Sequence, residues 1–151
     1  MTDYRLLTQQ IKALAEDEPN YIPVLANASA LLYSNMEDLN WAGFYLMNNG
    51  SLMLGPFQGK VACIRIPLGK GVCGTAAKED KTQLVPNVHE FAGHIACDGA
   101  SNSEIVVPIH KNGEVIAVLD IDSPKFERFT SEDKEGLEDF VRTIEEVTEF
   151  I

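Results

Sequence analysis

No stretch of the 151 residues approaches the roughly 20 consecutive apolar positions needed to cross a bilayer. The opening residues, MTDYRLLTQQ, place an acid at Asp3 and lack an apolar segment of the secretory type, so a cytoplasmic protein is expected. Positive charge is scarce. Twelve Lys and Arg against 23 Asp and Glu leave a net charge of −11, which repels phosphate backbones and anionic lipid and excludes nucleic acid and membrane surfaces as expected partners. Most of that charge does no more than keep the chain dissolved. Cysteine is sparse and odd in number (Cys63, Cys73 and Cys97), which argues against a framework of structural disulfides. Repeats, low-complexity tracts and Pro/Gly/Ser linkers are all missing, and the length holds a single core, so residues 1–151 read as one domain.

The apolar residues that are present, 45% of the chain, fall into readable patterns. Thr2 or Asp3 can cap a helix to about Ala15, with Leu6, Leu7, Ile11 and Leu14 on one stripe. Glu18-Pro19-Asn20 breaks it, and a second helix runs from Tyr21 to about Tyr33. Strands follow: Trp41 to Met47, the turn Asn48-Asn49-Gly50, Leu52 to Phe57, and Val61 to Ile66. A short helix (about Val72 to Lys78) and a brief strand (Gln83 to Val85) lead into an irregular stretch, 86–102. A second Asn-Gly turn, at Asn112-Gly113, joins Ser103–His110 to Glu114–Asp122. Ser131 is read as the cap of a last helix ending near Phe150. Consecutive hairpins with helices at both ends predict an α+β fold: a central antiparallel sheet of five or six strands flanked by helices.

Several constellations invite chemistry, and most have a plain explanation. Gly69-Lys70-Gly71-Val72-Cys73-Gly74 spells a dinucleotide-binding motif, yet no parallel βαβ unit surrounds it, so a tight strand-to-helix turn is the better reading. Gly55 to Lys60 is one residue short of a phosphate-binding loop and lacks its Ser or Thr. His89, His94 and Cys97 are metal-ligand types, but a fourth ligand in zinc-like spacing is missing, so no metal is expected.

Two constellations weigh more. Cys97 sits in the long segment Gly93-His94-Ile95-Ala96-Cys97-Asp98, where a thiol is reachable and His94 or nearby N–H groups can favour its thiolate. Cys63, read in a strand, and Cys73, at a helix start, are both candidate disulfide partners for it. The second constellation is acidic. Asp120 and Asp122 end a strongly apolar strand and, two apart, share a face. Counting antiparallel pairs back from the Asn112-Gly113 turn puts Glu104 across from about residue 121, beside them. Acids on a face that a helix covers must meet a cation or take up protons. That describes a pocket for an ammonium group in which at least one carboxyl stays protonated. Trp41 and Tyr45, four apart in a strand, share a face and offer an aromatic wall for an apolar or thioether group.

With these residues in view, the sequence resembles the free methionine-R-sulfoxide reductases, stand-alone proteins with a GAF fold. The matching segments are Asn40–Tyr45, Leu54–Lys60, Ala62–Pro67, Gly69–Ala76, Gly93–Asp98, Ser103–Ile109 and Leu119–Pro124, with all three cysteines in order. The resemblance implies that Cys97 attacks the sulfoxide sulfur and becomes a sulfenic acid, which Cys63 resolves to a Cys63–Cys97 disulfide. It further implies that Cys73 is an auxiliary cysteine and that thioredoxin, an external reductant, recycles the disulfide with no bound cofactor. Trp41 and Tyr45 would hold the methyl end of free methionine sulfoxide. Glu104 and Asp122 would face its oxygen and Asp120 its ammonium. A homodimer is implied as well. The rival expectations are a GAF module that senses a small ligand or redox state without turnover, and a purely structural protein.

Overall fold

The computed structural model describes residues 1–95 and 99–150; Cys97 therefore lies outside the described residues. The elements run α1 (Tyr4–Asp17), α2 (Tyr21–Asn35), β1 (Trp41–Asn48), β2 (Ser51–Gly59), β3 (Arg65–Pro67), α3 (Gly71–Glu79), β4 (Gln83–Val85), β5 (Ser103–Lys111), β6 (Glu114–Ser123) and α4 (Ser131–Val147), with a 3₁₀ turn at Val88–Glu90 after β4. The six strands form one antiparallel sheet in the order β3-β2-β1-β6-β5-β4. Both Asn-Gly turns behave as their residues dictate. Asn49 and Gly50 have φ of 53° and 81°, Asn112 and Gly113 have 53° and 80°, the positive values that tight hairpins require.

Alternation sorts the strands' side chains into two layers. Phe44, Ile105, Val107, Ile109, Leu119 and Ile121 point to one face, where Leu7, Ile11, Leu25, Leu32, Leu137, Phe140 and Ile144 of α1, α2 and α4 cover them. The opposite face carries Trp41, Tyr45, Val106 and Val118 and packs against Val72, Cys73, Ala76 and Ala77 of α3. A short helix covers less sheet than three long ones, and that difference leaves room for a cavity beside α3.

Two elements depart from expectation. The strand read at Val61–Ile66 is cut to Arg65–Pro67, and Cys63 lies outside any strand. Side chains have displaced the ladder there: Trp41 Nε1 donates to the Lys60 carbonyl (3.1 Å) and Tyr45 Oη to that of Cys63 (2.9 Å). At α4 the cap is Thr130 rather than Ser131, in a capping box with Asp133. The same helix stops at Val147 instead of Phe150, because the backbone of Glu149 pairs with Pro19 and Tyr21 at the head of α2.

At the far end of β5, His110 is clamped between α3's C-cap and α4: Nε2 meets Asp80 Oδ1 at 2.5 Å and Nδ1 meets Glu145 Oε2 at 3.0 Å. Lys134, Glu138 and Arg142 line the same groove. Burial alone would lower the imidazole's pKa, but the hydrogen bonds and charges of the two carboxylates raise it overall. A pKa raised on folding gives stability that is complete below the unfolded value, about 6.5 for His, and is lost as pH climbs through the folded value. His110→Gln is therefore expected to lower the denaturant midpoint at pH 6 and to leave it nearly unchanged at pH 9. Equal losses at both pH values would contradict the clamp's charge.

Candidate active site

The acidic cluster owes its existence to an irregularity in the β5–β6 hairpin. Next to the turn, Lys111 pairs with Glu114 and His110 with Val115, but Ile109 pairs with Ala117, so Ile116 is an extra residue in β6. The bulge shifts every later pair by one. Glu104 therefore falls opposite Asp122, not residue 121, and Val106 opposite Asp120. Without the extra residue Glu104 would turn toward α1, α2 and α4; with it, Glu104, Asp120 and Asp122 all face α3. On the other side of β6, Trp41 pairs with Asp122 and Gly43 with Asp120. One row across β1, β6 and β5 thus reads Trp41, Asp122, Glu104.

The aromatic wall follows from the same geometry. Trp41 and Tyr45 are both buried and their rings stack at 5.9 Å, with Phe57 of β2 on the indole at 5.1 Å. Between them on the strand, Gly43 leaves the space the indole occupies: a Cβ there would lie 2.8 Å from the Trp41 ring and 2.3 Å from Phe57 Cβ. Any larger residue at position 43 would push the wall apart.

Together these residues line a half-open cleft with about 530 Å³ of empty space, its mouth included. Its walls also include Cys73, His94 and Ser101. Ser101 donates to Asp122 Oδ2 (3.3 Å) and accepts from Asn40 Nδ2 (3.0 Å). It was not legible from the sequence, where a serine between Ala100 and Asn102 reads as turn. Among the described residues, Oδ1 of Asp120 and Oδ1 of Asp122 are buried with no hydrogen-bond partner. A buried carboxylate oxygen left empty is costly unless a ligand supplies the donor.

Electrostatics sharpens the roles. Burial pushes the Glu104 carboxyl well above its ordinary value, and the negative charges of Asp120 and Asp122 push it further. Asp122 is raised too, by burial first and Asp120 second, while hydrogen bonds from Glu104 and Ser101 partly offset the rise. Glu104 and Asp122, facing each other across the two strands, thus favour holding a proton between them. Burial, then Asp120, Glu104 and Asp122, keep the Cys73 thiol protonated. Burial, followed by the charge of His89, lowers His94, leaving a neutral base at the cleft.

The structure brings Trp41, Tyr45, Cys73, Glu104, Asp120 and Asp122 together, with Cys63 joined to the wall through its carbonyl's bond to Tyr45. The placement of Cys97 falls outside the described residues. The histidines meet edge to face, with ring centres 6.4 Å apart, and His89 Nε2 lies 2.8 Å from Asn102 Oδ1. A different trio could hold a metal: Cys73 Sγ and one carboxylate oxygen each of Glu104 and Asp120 lie within 4.8 Å of one another. Burial holds two of the three, the Cys73 thiol and the Glu104 carboxyl, toward their protonated forms, and a metal would have to displace those protons to bind. The glycine motif at 69–74 makes a turn: Gly71 has φ of 62°, and a Cβ on Gly74 would lie 2.4 Å from the Pro67 carbonyl.

The GAF domain model matches residues 12–147. The Escherichia coli protein named free methionine-R-sulfoxide reductase is 54% identical over 144 residues, covering 95% of this chain and 87% of its own. The reduced form of fRMsr from Staphylococcus aureus superimposes with a TM-score of 0.95 at 54% identity, over 99% of this chain and 97% of that one. The free methionine-R-sulfoxide reductase from Neisseria meningitidis, in complex with its substrate, aligns with a TM-score of 0.91 at 40% identity, over 95% of this chain and 86% of that one.

Proposed function

The chain belongs to the GAF domain family, among its free methionine-R-sulfoxide reductases, and we propose that it is an oxidoreductase that reduces free methionine-R-sulfoxide to methionine with its own thiols. The observation that carries the reading is a cluster of three carboxyls, Glu104 and Asp120 buried and Asp122 half-buried, beside an aromatic wall, with two carboxylate oxygens waiting for a donor.

A free amino acid supplies what those oxygens want. Its ammonium satisfies Asp120 and cancels charge that the cleft otherwise buries. The thioether end lies against Trp41 and Tyr45, whose polar tips are engaged with backbone carbonyls and leave the ring faces apolar. The sulfoxide oxygen meets Glu104 and Asp122. Raised pKa values suit these two, since the oxygen must gain a proton as sulfur is attacked. A methionine inside a protein has no free ammonium, so the cleft selects the free form.

The Cys97 thiolate attacks the sulfoxide sulfur while a carboxyl protonates the oxygen. That oxygen passes to Cys97 as a sulfenic acid, and methionine departs reduced by two electrons. Cys63 then attacks the sulfenic sulfur, water leaves, and a Cys63–Cys97 disulfide forms. Thioredoxin returns two electrons and two protons by thiol–disulfide exchange. No bound cofactor takes part. Cys73, a buried thiol beside Glu104 and Asp120, is the auxiliary cysteine. Dependence on thioredoxin fits the cytoplasm, and a homodimer is the proposed assembly.

One experiment tests the sequence of steps. Wild-type enzyme supplied with thioredoxin and each free sulfoxide epimer should turn over the R form repeatedly. Cys63→Ser should release about one methionine per enzyme and then stop, because one thiol delivers the oxygen-accepting step and a second is needed to recycle it. Continued cycling of that variant would remove Cys63 from its role, and turnover of neither epimer by wild type would reject the function.

A further inference from the structure

Residues 60–64 form an irregular segment whose carbonyls are fastened inward. Trp41 holds that of Lys60, Tyr45 that of Cys63, and Leu54 N–H that of Ile64 (2.9 Å). With the backbone tied down by its acceptors, the side chains of Val61 and Ile64 stand outward. They are 87% and 73% exposed, more than any other large apolar residue among the described ones except the terminal Met1. They flank Cys63 at two positions before and one after. Ile95, over a third exposed, packs over Gly71 at the start of α3 and shares the rim of the cleft with Val61. Isolated apolar residues on a surface need no explanation; apolar side chains gathered around one cysteine do.

The charge here is also unlike that of the rest. Residues 39–78 contain no Asp or Glu, while all 23 carboxylates of this −11 chain lie elsewhere. The same segment carries Lys60, Arg65, Lys70 and Lys78. An apolar spot next to Lys60, in a segment that carries cations and no acids on a protein otherwise strongly negative, fits an acidic protein with an apolar contact face. Steering of that kind orients a partner so that it arrives at the spot.

We propose that Val61 and Ile64, with Lys60 and the neighbouring cations, form the docking surface for an acidic dithiol protein of the thioredoxin class that reduces the Cys63 disulfide. The proposal rests on the functional reading above, because only a disulfide at Cys63 gives such a protein a reason to bind there. Contact residues immediately beside the target sulfur would let the partner's attacking thiolate approach while its own apolar face covers Val61 and Ile64.

The test uses Ile64→Ser and Lys60→Glu, alone and combined, neither side chain being part of the cleft. Turnover of free methionine-R-sulfoxide is driven by thioredoxin in one arm and by dithiothreitol in the other. The double variant is expected to raise the KM for thioredoxin about 10-fold or more, as loss of one apolar anchor and one steering charge would. Turnover with dithiothreitol should stay within about twofold of wild type, since a small dithiol needs no docking surface. Added salt should lower kcat/KM for thioredoxin in wild type and less so in Lys60→Glu. An unchanged KM for thioredoxin overturns the proposal. So does an equal loss in both arms, which would mean that the variants disturb the redox pair itself. A shift in sedimentation with KM unchanged would assign the patch to a second copy of the chain. If wild type turns over with neither reductant, the functional reading fails and the docking surface falls with it.

Discussion

Replacing Cys97 with serine should abolish methionine sulfoxide reduction, leaving less than about one thousandth of wild-type turnover with either thioredoxin or a small dithiol. A serine hydroxyl is not ionised near neutral pH, whereas a thiol supplies a soft, partly ionised nucleophile suited to attack on sulfur. The loss is larger than that expected for any other single change, because Cys97 makes the bond that starts the reaction and no later step can bypass it. The substrate site should survive. Methionine should still raise the melting temperature of Cys97→Ser, as it would for wild type, since Asp120 and the aromatic wall remain in place. A variant that keeps its turnover, with the cleft still binding methionine, would move the nucleophile elsewhere.

Glu104→Gln is expected to do two things at once: cut kcat by about 10² to 10⁴ and make the ligand-free protein more stable at neutral pH. The first follows from removing the proton donor that the sulfoxide oxygen needs. The second follows from linkage. Burial first, and then the charges of Asp120 and Asp122, raise the folded pKa of Glu104 above its unfolded value. A carboxyl of that kind imposes no penalty below the unfolded value, where both states are protonated, and lowers stability as pH rises toward and through the folded one. Glutamine has the shape of the protonated acid and no charge to bury, so its advantage should vanish near pH 4 and grow toward pH 7. The expected gain is about 1 to 3 kcal/mol, a few degrees in melting temperature for a chain of this size. Thermal melts at the two pH values, with and without methionine, read both effects. A variant less stable than wild type at pH 7 would mean that Glu104 is held as a satisfied structural acid and not as a strained functional one.

The sequence carried some of this plainly. Asp120 and Asp122 close an apolar strand two residues apart, and period-two alternation alone puts them on one face. The two Asn-Gly pairs announced their hairpins, and Trp41 and Tyr45 their shared wall. Other features depended on contacts distant in the chain. VACIRI has the composition of a strand, but the bonds that hold residues 60–64 out of the sheet come from Trp41 and Tyr45 on β1, 19 and 18 residues away. Local propensity cannot register them. Thr130 and Ser131 are both good caps, and only the reciprocal bond with Asp133 chooses between them. Ser101 looked like loop punctuation until β6 brought Asp122 to it. The sheet's order, with β6 inserted between β1 and β5, was not readable either, yet that order sets the aromatics and the acids side by side.

Ile116, the unpaired residue near the tip of the last hairpin, has a consequence for how such a site is inherited. The cluster is specified by a count as much as by identities: every acid could be retained while the spacing between tip and base changed by one, and Glu104 would then be delivered into the greasy layer beneath the long helices. Point substitutions can tune this pocket. Insertions or deletions near the tip, far from any reacting atom, can erase it.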